Sequence, residues 1–201
     1  MSSISLCRFF TGPPSVTAVV APGATASEVE RTVASLKGLA WPNLEIIDCG
    51  TSATASDTSA RMAEAAAHAK GDYLLLVNAG TYFEDASSFE QMLYAAMRPD
   101  VALVAAKVLL PDGSIYSNGM AIYDINTHII QRFHHRNAVT DYYTTLLPHE
   151  VSITTSECMV MSTSDYEELG GLLPDAPPRL WGTCLCLAAC EAGKRVVQYS
   201  P

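Results

Sequence analysis

The sequence predicts an α/β fold, a mostly parallel sheet flanked by helices, with an antiparallel hairpin region in its second half. Three observations predict it. Short apolar or β-branched runs alternate with capped helical segments through the first hundred residues, as βαβ units require. One run, Tyr73–Val77, is apolar throughout and breaks off at Asn78-Ala79-Gly80, the pattern of a strand buried on both faces. Beyond residue 100, turn signals such as Asp112-Gly113 replace the regular strand–helix alternation, which marks strands paired with their immediate neighbours.

Taken in order, Val16–Val20 is the first strand, followed by the small-residue loop Ala21-Pro22-Gly23-Ala24. Ser27 and Glu30 form a capping box for a helix whose apolar face is Val29, Val33 and Leu36, and Gly38 supplies its C′ residue. Leu44–Asp48 is the second strand. The polar loop Cys49–Ser56 leads to Asp57 as N-cap of an alanine-rich helix ending near Lys70-Gly71. After the Tyr73–Val77 strand, Ser87 and Glu90 box a helix that runs to Met97 and is closed by Pro99. No GxGxxG turn follows the first strand, so a dinucleotide site has no support.

In the second half, Val101–Leu110 is apolar and turns at Asp112-Gly113, and Ala121–Asp124 with His128–Phe133 reads as another hairpin. His134–His149 lacks periodicity and reads as a long loop. Val151–Thr155 and Cys158–Ser162 are β-like. Ser164 and Glu167 box a short helix stopped by Gly170-Gly171. Thr183–Ala192 is helical with Gly193 as its cap, and Arg195–Tyr199 is the last strand.

Composition narrows the function. The chain has 201 residues, enough for one domain with a sizeable core, and is 49% hydrophobic and 16% charged. A net charge of −9 and a pI near 4.9 argue against nucleic acid or an anionic membrane as partner, since both reward clustered Lys and Arg. No apolar run reaches the roughly 20 residues that span a bilayer, and the N-terminus has no signal-peptide pattern. Cys7, Cys49, Cys158, Cys184, Cys186 and Cys190 are scattered among apolar neighbours and form no CxxC pair, so reduced thiols in a cytoplasmic protein are expected.

Five stretches, in order, resemble the family 2 glycosyltransferases of the GT-A fold: Pro42–Ser52, Ala65–Gly80, Val101–Met120, Ser156–Leu172 and Cys184–Pro201. SECMVMSTSDYEELGGL is similar to the family's "GaCmlirReaFeevGGf", and VALVAAKVLLPDGSIYSNGM to its "valuggpklldpdGriqhaGg". The resemblance implies a Rossmann-type sheet in a single domain, with residues 1–15 as a leader. Residues 16–100 form a nucleotide-binding-type half and 101–201 an acceptor-type half. It further implies a domain excised from a longer chain, with other domains or further copies of itself as partners. The implied activity is transfer of a sugar from a nucleotide-diphosphate donor, related to polysaccharide or glycoconjugate synthesis.

That chemistry needs a divalent cation on the leaving diphosphate, held by a DXD motif, and a carboxylate base near the start of the last helix. Here the DXD position carries Asn78-Ala79-Gly80. The DDGS position keeps Asp48 but has Cys49 as its second residue. The P-x-Y-N position is Ala21-Pro22-Gly23-Ala24, and the ED position is Trp181-Gly182. The expectation is therefore a glycosyltransferase-like domain without metal-dependent turnover and without a cofactor. Two alternatives stand beside it: an active inverting enzyme, using Mg or Mn or substitute groups, and a non-catalytic interaction module. Candidate nucleotide contacts are Asp48, Arg61, Asn78 and Gly80, candidate substitute bases are Glu157 and Asp175, and Trp181 is the acceptor-pocket candidate. Asp48 also suits a local turn, Arg61 an ion pair on its own helix, and the cluster Arg132, His134, His135 and Arg136 a solvated loop.

Overall fold

The computed structural model describes residues 12–124, 129–132 and 147–200. The first hundred residues alternate as expected: β1 (Val16–Val20), α1 (Ala26–Gly38), β2 (Leu44–Asp48), α2 (Ala55–Ala67), β3 (Tyr73–Val77) and α3 (Ala86–Ala96). Then come β4 (Val101–Ala106), β5 (Val108–Leu109), β6 (Ile115–Ser117), β7 (Met120–Asp124), β8 (Ile129–Arg132) and β9 (His149–Glu150). The chain continues through β10 (Cys158–Ser162), α4 (Thr163–Glu168), a 3-10 turn at Pro178–Leu180, α5 (Trp181–Glu191) and β11 (Arg195–Tyr199).

Seven strands form the main sheet in the order β2-β1-β3-β10-β4-β11-β9. Strands β2, β1, β3, β4 and β11 run one way; β10 lies antiparallel between β3 and β4, and β9 is antiparallel to β11. The expected hairpins are present as two small antiparallel pairs, β5 with β6 and β7 with β8.

Apolar residues on both sheet faces explain the layering. One face packs against Met62, Ala63 and Ala66 of α2, Tyr166 of α4, and Trp181, Leu185, Cys186 and Ala189 of α5. The other meets Val29 and Leu36 of α1 and Phe89, Met92, Leu93 and Ala96 of α3. Phe89 is enclosed edge-to-face between Trp41 and Phe83, with ring centroids at 5.5 and 5.9 Å. Burial of such a ring stabilises the fold by roughly 2–3 kcal/mol.

Every helix with a side-chain cap starts earlier than its sequence pattern suggests. Thr25, not Ser27, caps α1, in a reciprocal box with Glu28. Thr54 replaces Asp57 at α2, Asp85 replaces Ser87 at α3, and Ser162 replaces Ser164 at α4. Where two capping residues compete, the earlier one adds backbone hydrogen bonds to the helix at no loss of capping. Helix α5 likewise begins at Trp181, not Thr183, continuing out of the Pro178–Leu180 turn. Gly38 stays helical, and the left-handed residue is Ala40, at φ 50°.

The β-like stretch Val151–Thr155 is not a strand: one bridge joins Ile153 to Met120, and the segment then turns to bury Thr154 and Ser156. The expected loop His134–His149 lies largely outside the described residues, apart from its end, where His149 belongs to β9.

Candidate functional site

Strands β1, β2, β3 and β4 all end at one edge of the sheet, and the start of antiparallel β10 arrives at the same edge, with Cys158 opposite Val77. This carboxyl edge is where an open α/β sheet binds ligands. Three loops leave it and are joined backbone to backbone. Ala21 donates to the Val77 carbonyl (2.8 Å), Cys49 to that of Val20 (3.1 Å), and Gly23 to that of Gly50 (3.1 Å). Ser52 returns a bond to the Gly23 carbonyl at 3.1 Å.

Gly23 is required by packing, since a Cβ built there would lie 2.8 Å from Val29 Cγ2 and 2.9 Å from Ala79 Cβ. The loop after β1 is thus drawn tightly onto the end of β3. This close approach was not visible in the sequence; the glycine alone was its only signal.

Asp48 is exposed and closes a local turn, its Oδ1 accepting from the Gly50 N–H at 2.7 Å. Its neighbour Cys49 is a neutral thiol, pushed up to about 11 by burial and then by the Asp48 charge, so it cannot act as a second anion. Arg61 reaches from α2 to the carbonyls of Thr51 (3.2 Å) and Cys49 (3.5 Å) and pairs with Asp57 at 3.0 Å. Both residues therefore hold the loop after β2, Asp48 through a local turn and Arg61 through loop carbonyls beside its ion pair with Asp57.

At the end of β3, Asn78 donates its N–H to the Glu157 carbonyl at 2.8 Å, and Gly80, at φ +90°, donates to Thr32 Oγ1 of α1 at 3.0 Å. Thr32 is buried, so α1 fixes the turn that follows the strand. The contact between Asn78 and Glu157 brings a nucleotide candidate and a base candidate together. Asp175 is separate: it is exposed on the proline-rich loop, whose Ala176 carbonyl accepts from Ser59 of α2 at 2.6 Å.

Trp181 opens α5 and is only 1% exposed, so its ring offers no face on which a sugar could stack. The adjacent Gly182 donates to Ser156 Oγ at 2.9 Å and sits where a Cβ would be 2.8 Å from the Thr154 and Thr155 carbonyls. Oε2 of Glu157 and Nε1 of Trp181 are both enclosed without a hydrogen-bond partner. Further along the edge, Gln198 accepts from Thr154 Oγ1 (3.3 Å) and donates to the Ala105 carbonyl (3.2 Å), while Ser200 Oγ donates to Asn118 (2.7 Å). The cationic cluster around His134 and His135 lies outside the described residues, apart from the backbone of Arg132 in β8.

The end of β3 does not fit a hard divalent cation. Asn78 offers one neutral carbonyl oxygen, and Ala79 and Gly80 offer no side-chain donor, so no charge neutralisation is available. Among the described residues, no group of three or more His, Cys, Asp or Glu side chains is placed to hold a metal ion. Among the same residues, no helix is long and apolar enough to cross a membrane.

No protein-family model matches the sequence. The O-antigen biosynthesis protein RfbC of Myxococcus xanthus is 28% identical over 109 residues, which are 53% of this chain and 8% of that protein. The mannosyltransferase PcManGT of Pyrobaculum calidifontis, solved with GDP-Man and Mn2+, superposes with a TM-score of 0.60 at 16% identity. That match covers 94% of this chain and 56% of the enzyme. GalNAc-T7, solved with UDP, GalNAc and Mn2+, superposes at 0.59 with 12% identity, covering 93% of this chain and 42% of its own. The chain thus spans about half of either enzyme and a small part of RfbC. With its five parallel strands, reversed β10 and helices on both faces, it has the GT-A fold of glycosyltransferases.

Proposed function

We propose that this chain is a glycosyltransferase-like domain that handles a nucleotide-sugar without metal-dependent turnover of its own. It would serve sugar transfer onto a polysaccharide or glycoconjugate, as one module of a larger protein or assembly. The observation that carries this reading is the end of β3. The strand lies in the sheet position and direction the fold requires, yet it closes on Asn78-Ala79-Gly80 with no carboxylate. A diphosphate leaving group there gains no metal cation, and Arg61, at the neighbouring loop after β2, is already engaged with loop carbonyls. Buried free thiols at Cys158 and Cys186 suit a reducing cytoplasm.

Calorimetric titration with UDP- and GDP-hexoses, with and without Mn2+, tests the proposal. Weak binding of equal strength in both conditions is expected. Micromolar binding that requires Mn2+ would instead make the chain an active transferase, and no binding at all would make it an interaction module.

A further inference from the structure

We propose that two copies of this chain associate through the outer face of α5, packed antiparallel about a two-fold axis that passes near Cys184. Helix α5 is apolar almost all round: of its 11 residues, WGTCLCLAACE, only Glu191 is charged. Trp181, Gly182, Leu185, Cys186 and Ala189 face inward and are buried. The opposite face carries Leu180, Cys184, Leu187 and Glu191, whose spacing sets them on one line along the helix. Leu180 is 39% exposed and Leu187 41%. A helix apolar on both sides is normally enclosed on both. Among the described residues, α5 is enclosed on one.

The charges at the two ends of α5 point to a second copy as the occupant. The helix has no acidic residue in its first turn and no basic residue in its last. Instead Arg179, exposed in the turn that leads into α5, stands at the positive end of the helix dipole, and Glu191 stands at the negative end. Both are the reverse of what the dipole favours. A second α5 laid antiparallel corrects both at once. The partner's Glu191 then lies beside the start of the first helix and its Arg179, and the partner's Arg179 beside the end of the first helix and its Glu191. With the axis near Cys184, Arg179 and the partner's Glu191 are offset by about two residues of helical rise, roughly 3 Å, within reach of an arginine side chain. Leu180 meets the partner's Leu187 in the same register, so one patch meets itself, as a two-fold contact requires. An unrelated apolar partner would cover the leucines but leave the reversed charges without a purpose.

Sedimentation equilibrium of the protein in reducing buffer, with neither nucleotide nor sugar present, tests the contact separately from the nucleotide-sugar titration. An interface built on one helix is small, so a dissociation constant on the order of 100 μM is expected. The weight-average mass should rise through that concentration range from the 21.5 kDa of one chain toward twice that value. Leu187→Glu sets a charge on each side of the seam and should weaken association about tenfold. Its far-UV circular dichroism should match the wild type, because the side chain is exposed. Arg179→Glu and Glu191→Arg should each weaken association about fivefold by setting like charges against each other. Mixed in equal amounts, these two variants should associate as well as the wild type, since each carries the charge the other lacks. A protein that keeps the mass of one chain throughout would overturn the proposal. So would a dimer that Leu187→Glu leaves intact, or charge variants that do not recover on mixing.

Discussion

In the first half of the molecule, the loops that leave β1, β2 and β3 are joined by main-chain hydrogen bonds among Ala21, Gly23, Cys49, Gly50, Ser52 and Val77. In the second half, the same edge of the sheet is held by buried side chains, with Gln198 joined to Thr154, Ser200 to Asn118, and Ser156 to Gly182. The difference bears on how a fold outlasts its chemistry. Main-chain bonds ask little of side-chain identity, so acidic and aromatic positions in the first half can be replaced without loosening the loops. The second half has less freedom there, because the side chains of Ser156, Gln198 and Ser200 each bond a specific buried partner.

The strongest way to break this contrast is Gln198→Leu. It leaves the Thr154 hydroxyl buried without its Gln198 partner and removes the side-chain bond to the Ala105 carbonyl, and urea denaturation should record a loss of about 2–3 kcal/mol. Gly23→Ala tests a steric demand among the joined loops of the first half. A methyl group forced between Val29 and Ala79 should cost about 1–2 kcal/mol in the same assay. Asp48→Ala removes only a turn bond that solvent can replace, and should cost less than about 1 kcal/mol. Were Asp48→Ala as damaging as Gln198→Leu, the distinction between the halves would fall.

The smallest effect is expected at Asp72, whose carboxyl is held below its ordinary value chiefly by the Ser15 hydroxyl and then by the Ser15 N–H. A lowered folded-state value means that its stabilisation is present above about pH 4 and lost as pH falls through the folded value. The stability gap between wild type and Asp72→Asn should therefore be present at neutral pH and close in acid.

Much of the fold was legible because strands announce themselves as apolar runs: Val16–Val20, Leu44–Asp48, Tyr73–Val77, Cys158–Ser162 and Arg195–Tyr199 all fall where the sequence places them. Helix starts were less legible because Thr25 and Ser27, or Ser162 and Ser164, are chemically equivalent caps, and the choice is made by the structure before them. The antiparallel course of β10 could not be read from its residues, since a strand buried on both faces looks the same in either direction. At the site, the missing carboxylates of Asn78-Ala79-Gly80 were visible, as was the nomination of Glu157 and Trp181. Their unsatisfied atoms and the closure of Gly23 on Ala79 depend on contacts between distant segments, which no local pattern encodes.

The insertion of β10 between β3 and β4 also sets the order in which the protein can be completed during synthesis. When residue 106 has been made, β4 has neither of its sheet neighbours, because β10 and β11 are still to come. Strand β3 likewise has one open edge until residues 158–162 arrive. The nascent chain must shield three strand edges, both of β4 and one of β3, across more than fifty intervening residues, the setting in which slow pairing and aggregation compete. A chain cut between β4 and β10 would yield two fragments, neither containing a closed version of the sheet.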